Sequence, residues 1–104
     1  MTKTELHTAL NKEINTYFMW APKGTKTPYA VYTWDNIPNV SADDSVYQKA
    51  AAVTIMCYFT STSLLNVLDA TLDELVGFYA SSVEYDTDAE CYIQTYTMEV
   101  IDNA

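Results

Sequence analysis

The chain has 104 residues, with fourteen Asp and Glu, five Lys and one His, and a formal charge of −9. Domains cluster at roughly 100–150 residues, so we expect one domain spanning residues 1–104. The 49% hydrophobic content places the chain well above compositions that stay disordered. All five basic residues are Lys, and proteins that bind nucleic acid neutralise phosphates with Lys and Arg, so this charge argues strongly against a nucleic-acid-binding protein.

The apolar stretches and the two cysteines bound the location of the protein. The longest apolar stretches, 50–53 and 55–59, are far shorter than the ~20 residues of a membrane-spanning helix. The first twenty residues contain no continuous apolar stretch of a signal peptide. Cys57 and Cys91 are far apart and lack the CxxC spacing of zinc or redox sites. We therefore expect a soluble protein with no membrane partner and a cytoplasmic default location, and leave a bridge between the cysteines open.

The charge is distributed unevenly along the chain. The five Lys lie at or before Lys49 and balance the acids there, whereas residues 50–104 contain nine acids and no base. The excess acid in the second half is explained either by solubility or by repulsion of a polyanion. The sequence leaves both explanations open.

The first half of the chain predicts a helix followed by a strand. Thr2 and Glu5 have the spacing of a capping box, and apolar residues then recur every three or four positions, which predicts a helix over 3–18. Pro and Gly residues indicate a loop over 22–28. Residues 29–34 are aromatic and β-branched and predict a strand.

A turn-forming stretch of about ten residues follows over 36–45, longer than usual hairpin connections. Long loops often carry function, so we consider it a docking loop; a merely tolerated insertion is the alternative. The candidate docking residues are Asn36, Ile37, Pro38, Asn39, Val40, Asp43 and Asp44.

The second half predicts a long strand over 46–60, a helix capped by Ser63, and two strands over 83–85 and 91–101 joined by an acidic turn. The predicted fold is therefore α+β, with the order α-β-β-α-β-β. We expect a mainly antiparallel sheet with both helices packed on one face.

The long strand is apolar on both faces, while two helices cover only one. A monomer would then expose more apolar area than soluble monomers usually do, so we expect self-association. The alternative is that loops and residues 19–22 fold over the second face.

Residue patterns for catalysis or metal binding are weak. His7 has no nucleophile near it in sequence. The run 86–90 resembles the start of a calcium loop, but the sixth and twelfth positions of such a loop would be Cys91 and Thr97 instead of the required Gly and Glu. Two Gly residues are too few for a phosphate-binding loop. We therefore predict no catalytic residue, no metal and no cofactor, and rank an enzyme last.

Four acids alternate along the sequence: Glu84, Asp86, Asp88 and Glu90. On an extended chain they would point one way at roughly 6.6–6.8 Å intervals, near the phosphate spacing of one DNA strand. This pattern permits an acidic DNA mimic or inhibitor that binds a basic cleft of a nucleic-acid enzyme. The alternative is an acidic hairpin turn in water.

Three stretches of the chain form a pattern: residues 28–32 (PYAVY), residues 42–44 (ADD) followed by 47–49 (YQK), and residues 92–100 (YIQTYTMEV). Together they resemble the tail completion, or tail terminator, proteins of long non-contractile-tailed bacteriophages. The resemblance covers about residues 28–101 in order. Residues 61–63 (STS) replace the charged residues expected after the long strand, and the N-terminal helix carries no matching signature.

The resemblance implies a non-enzymatic α+β protomer that forms a ring, usually of six, on the tail tube. Such a ring ends tube polymerisation and provides a surface for the head connector, so the expected partners are further copies, the tube protein and the connector protein. The expected location is the virion tail, assembled in the host cytoplasm, with DNA passing through without binding and protomers able to stay monomeric in solution. The expected interface residues are Trp34, Tyr92, Tyr96 and Met98, and the expected channel-lining acids are Glu84, Asp86, Asp88 and Glu90.

Overall fold

The computed structural model describes residues 2–37, 49–61, 63–75 and 79–102. They form an α+β fold of two helices and five strands. In chain order these are α1 (Lys3–Asn11), β1 (Asn15–Phe18), β2 (Tyr29–Ile37), β3 (Lys49–Phe59), α2 (Ser63–Leu75), β4 (Ala80–Asp86) and β5 (Cys91–Asp102).

The five strands form one mixed sheet in the order β1-β2-β3-β5-β4. β1 pairs with β2 in parallel, and the other three pairings are antiparallel. The long strand β3 lies at the centre, where Ile55 is opposite Tyr32 of β2 and Tyr96 of β5. The predicted order was therefore one strand short, and the sheet is mixed, with three of its four pairings antiparallel.

The missing strand comes from the predicted first helix, which is shorter than expected. Thr2 caps α1 as predicted, because its hydroxyl accepts a hydrogen bond from the Glu5 amide at 3.1 Å. The helix ends at Asn11, whose Oδ1 accepts from the Thr16 amide at 3.1 Å and holds the chain as it turns into β1. Ile14 is still buried, so the apolar spacing continues beyond the helix end. The β-branched and aromatic residues that follow favour a strand.

The predicted strand over 29–34 is confirmed and continues to Ile37, so Asn36 and Ile37 belong to β2. Of the other docking-loop candidates, Pro38, Asn39, Val40, Asp43 and Asp44 all lie outside the described residues.

The later elements agree with the sequence in kind. The predicted long strand over 46–60 is present as β3, which ends at Phe59, and residues 46–48 lie outside the described residues. α2 begins at Ser63 itself, the residue predicted to cap it. The predicted strands after it are present, with the first extended to Ala80–Asp86.

The buried core combines residues of both helices with residues of one side of the sheet, which we call the core face. α1 contributes Leu6 and Leu10, and α2 contributes Leu68 and Leu72, all with no exposed surface. From the sheet, the cluster contains Ala30, Tyr32, Ala51, Val53, Ile55, Cys57, Phe59, Tyr96, Met98 and Val100. The alternation along β3 and β5 matches the side-chain period of a strand, so the opposite residues define a second face.

Candidate interaction surface

The centre of the second face is half-buried and largely without charge. Register places Met56 between Val31 of β2 and Thr95 of β5, and Tyr58 between Tyr29 and Ile93. All six of these side chains have intermediate exposure. Exposed acids lie further from the centre, at Asp35, Glu84 and Glu99. This arrangement of an uncharged centre with charged surroundings is typical of a protein-interaction surface.

The aromatic pair on this face is held in a neutral state. The rings of Tyr29 and Tyr58 are opposite each other across the two strands and stack with centroids 4.7 Å apart. Burial raises the pKa of Tyr58, and nearby Cys91 and Asp86 raise it further. Burial likewise raises the pKa of Tyr29. The pair therefore presents flat, uncharged rings at neutral pH.

A groove of about 270 Å³ lies at the corner of the second face nearest β1. Its walls come from residues 19–21 and its floor from β2 and β3, including Val31 and Met56. Met19 has a positive φ of 71°, and the Trp20 amide donates to the Phe18 carbonyl at 2.9 Å, so the chain turns sharply after β1. Trp20 is 71% exposed. Residues 19–21 thus border one corner of the second face, while Val31 and Met56 stay half-exposed.

On the core side, two tyrosines bind carboxylates of α2. The Tyr96 hydroxyl donates to Asp69 Oδ1 at 2.7 Å, and the Tyr79 hydroxyl donates to Asp73 Oδ1 at 3.0 Å. Burial raises the pKa of Tyr96, and the hydrogen bond to Asp69 raises it further. Burial and the bond to Asp73 raise the pKa of Tyr79 to about 12. Both hydroxyls remain protonated at neutral pH, which suits donors that fix α2 against the sheet.

The two cysteines are both buried and both free. Cys57 is opposite Gln94 in the register, three residues from Cys91. Three residues of strand span about 10 Å, whereas a disulfide needs Cα atoms closer than about 7 Å. The bridge that the sequence left open is therefore not formed in this fold. Burial raises the pKa of Cys57 to about 12, which opposes a role as a nucleophile.

The structure places the predicted interface residues on the core face. Tyr96 has no exposed surface and Met98 is 7% exposed, so neither offers area to a neighbouring chain. Trp34 and Tyr92 are partly buried and pack against the same core. The second face instead presents half-exposed apolar side chains such as Val31 and Met56. The physical reason is that these large residues lie on the side of the sheet that contributes to the buried core.

The four alternating acids do not lie along one extended strand. Glu84 is in β4, but the chain reverses direction after Asp86, and Asp88 and Glu90 lie in the turn before β5. Asp86 Oδ1 accepts from the Asp88 amide at 2.9 Å and the Ala89 amide at 3.3 Å, which fixes the turn. The regular spacing behind the DNA-mimic hypothesis is therefore absent, because a hairpin replaces the expected extended chain.

The histidine and the acids give no metal site within the part of the chain that the structure describes. His7 Nδ1 lies 3.2 Å from the Tyr32 hydroxyl, and their rings are 5.7 Å apart, so His7 packs against the sheet. Among residues 2–37, 49–61, 63–75 and 79–102, no group of three or more His, Cys, Asp or Glu side chains could hold a metal ion. None of the described helices is long and apolar enough to cross a membrane.

Comparison of the chain with family models, with curated proteins and with solved structures gives no match. The assignment of the second face as an interaction surface therefore depends on its geometry alone. Sequence reasoning identified Met56 and Tyr58 as one face of an apolar strand but did not select them as contact residues. The signal that could have selected them is the alternation of side chains along β3. Met56 and Tyr58 alternate with Ile55 and Cys57, which are buried.

Proposed function

We propose that this chain is a non-enzymatic structural protein that forms a ring on the end of a phage tail tube. The ring ends tube polymerisation and provides the surface that joins the tail to the head connector. The observation that carries this proposal is the half-exposed, uncharged centre of the second face.

The layer arrangement supports assembly with other subunits. Helix residues Leu6, Leu10, Leu68 and Leu72 share one core with one side of the sheet. With both helices on the core face, the second face gains its cover from another protein chain. Burying apolar surface contributes roughly 25 cal/mol per Å², so a flat patch of this kind favours association once orientation costs are met.

The stretches that resemble the tail terminator family contribute to this same surface. Tyr29 and Val31 lie in the first stretch, and Ile93 and Thr95 lie in the last. Register brings the two stretches to opposite sides of β3, where they flank Met56 and Tyr58. The segments with the family-like sequence are therefore also those that form the candidate binding surface.

The acidic half of the chain fits a channel for DNA. Glu84, Asp88 and Glu90 are exposed on the hairpin of β4 and β5. A ring that presents such acids inward would repel the phosphate backbone, so DNA would pass without binding. The tube protein and the head-connector protein are the further partners in this proposal.

Electron microscopy of phage particles tests the function. We expect deletion of the gene to give overlong tubes without heads, and expression of the wild-type chain to restore joined particles. Met56→Lys places a charge at the centre of the second face and should fail to restore them, because the buried charge would be unpaired in the assembly. Asn66→Lys is the matched control on the exposed surface of α2 and should restore them.

Two results would contradict the proposal. Tails of normal length and normal head joining without the gene would exclude the terminator function. Normal particles with a folded Met56→Lys variant would exclude the second face as the binding surface. Circular dichroism and urea unfolding of the purified variants establish that each is folded.

A further inference from the structure

Exposed large apolar side chains are concentrated at the two edges of the sheet. Six are exposed among the described residues, and five of these lie at an edge strand or directly after it. Phe18, Met19 and Trp20 are at the β1 edge, and Val83 and Tyr85 are on β4. Val83 and Tyr85 are each more than half exposed, at 54% and 52%. Side chains of this size are the usual anchors of protein interfaces.

The same two edges carry opposite charge. Residues 11–28, which contain β1 and the loop after it, carry Lys12, Lys23 and Lys26 with the single acid Glu13. Residues 80–91 carry four acids and no base. Four strand spacings separate β1 from β4, about 19 Å, which exceeds the Debye length of about 10 Å at 0.1 M salt. The edges therefore act as separate, oppositely charged patches.

Both edge strands also have one side without a paired strand in the described structure. β4 pairs with β5 alone, and six of its seven residues are exposed. β1 pairs with β2 alone. Uncovered strand edges are surfaces on which proteins associate.

We propose that copies of this chain associate head to tail, with the β4 edge of one copy against the β1 edge of the next. The occupant is a second copy, because one chain carries both complementary edges. A contact between two β4 edges would instead place like charges together. Repeated head-to-tail contacts close into a ring when the rotation between copies permits it. The inference rests on the proposed function for ring closure, and it assigns Glu84 and Asp88 to the contact between copies rather than to the channel.

Charge reversal with sedimentation velocity tests this contact, at chain concentrations up to about 1 mM and in about 0.1 M salt. Glu84→Lys with Asp88→Lys brings residues 80–91 to no net charge, which removes the acidic partner of the basic β1 edge, and changes the net charge of the chain from −9 to −5. Asp86 is left intact because it fixes the turn. We expect association to weaken at least about tenfold, although the smaller negative charge of the chain would by itself reduce repulsion between copies and strengthen association. Weaker association in spite of this reduced repulsion would show that the β4 edge forms the contact.

The control with the same net charge of −5 combines Thr8→Lys, Asn66→Lys and Glu74→Lys, which are exposed helix positions. It should associate at least as strongly as the wild type. The opposite variant, Lys23→Glu with Lys26→Glu, makes both edges acidic and should also fail to associate alone. Mixing the two edge variants should restore association, because the unaltered basic edge of the first variant then meets the unaltered acidic edge of the second.

A wild-type chain that stays monomeric over this range, or edge variants that associate as well as the control, would overturn the inference. Loss of association without recovery on mixing would overturn the head-to-tail arrangement. The proposed function fails separately: normal tails and normal head joining after gene deletion would contradict the tail function, while loss of association in the edge variants with recovery on mixing would still establish the contact. Normal association of the edge variants together with overlong tails after gene deletion would overturn the edge contact and support the tail function.

Discussion

Tyr96 shows how one side chain fixes two layers of this fold. Its ring has no exposed surface and lies opposite Ile55 in the sheet, while its hydroxyl donates to Asp69 of α2 at 2.7 Å. The Tyr79 ring packs edge-on against it with centroids 5.4 Å apart. Apolar packing and a hydrogen bond to a carboxylate therefore act at the same point between α2 and β5.

We expect Tyr96→Phe to lower the free energy of unfolding by about 1.5–3 kcal/mol, the usual contribution of a hydrogen bond to a charged group. The ring still fills its site, so the loss reports the hydroxyl alone. Urea unfolding at neutral pH measures it as a lower midpoint. Tyr85→Phe is the matched control, because this side chain is 52% exposed. Its free energy of unfolding should stay within about 0.5 kcal/mol of the wild type. Equal midpoints for the two variants would contradict the role of the Asp69 bond.

For single residues, the sequence predicts which side chains share a face of a strand better than it predicts what packs against that face. Alternation correctly places Tyr92, Tyr96 and Met98 on one side of β5. It does not say which side receives the helices, because β3 is apolar on both faces. Large aromatic side chains are favoured both in cores and at interfaces, so residue type does not decide between them. Only the packing of Leu68 and Leu72 against this side settles the assignment.

Among the elements, β1 and the hairpin of β4 and β5 differ most from the sequence predictions. Ile14 is buried in continuation of the helical spacing of Leu6 and Leu10, although the chain has already left the helix. The Thr16 amide donates a hydrogen bond to Asn11 Oδ1 where the chain leaves the helix. The periodicity of apolar residues does not reveal such a bond between side chain and backbone. The central strands were predictable because their runs of β-branched and aromatic residues are long.

The acidic hairpin gives a prediction at the scale of the element. We expect Asp86→Ala to destabilise the protein by about 1 kcal/mol, because two turn amides lose their acceptor. Hydrogen exchange at the Asp88 and Ala89 amides should accelerate. Asp88→Ala removes the same charge without removing the acceptor and serves as the control. If the two variants exchange and unfold alike, repulsion between the acids rather than the Asp86 bonds governs the turn.

For the whole molecule, the net charge of −9 lies in the second half of the chain, so the repulsion between acids is concentrated there. All nine uncompensated acids lie in residues 50–104, which include α2, β4 and β5. Repulsion of this kind destabilises a compact state, and salt screens it. Stability and assembly therefore respond to different charges: stability to the excess acid throughout the second half, and the proposed contact to the two edges.

We expect the urea midpoint of dilute, monomeric chain to rise between about 0.01 M and about 0.15 M NaCl, as the Debye length falls from about 30 Å to about 8 Å. Urea is the required denaturant because guanidinium is itself a salt. The Glu84→Lys, Asp88→Lys variant, with net charge −5, should show a smaller rise and a higher midpoint at low salt. A wild-type midpoint that does not rise with salt would mean that the acids of residues 50–104 are too far apart to repel. The excess charge would then act only on the surroundings of the protein, as a channel wall for DNA requires.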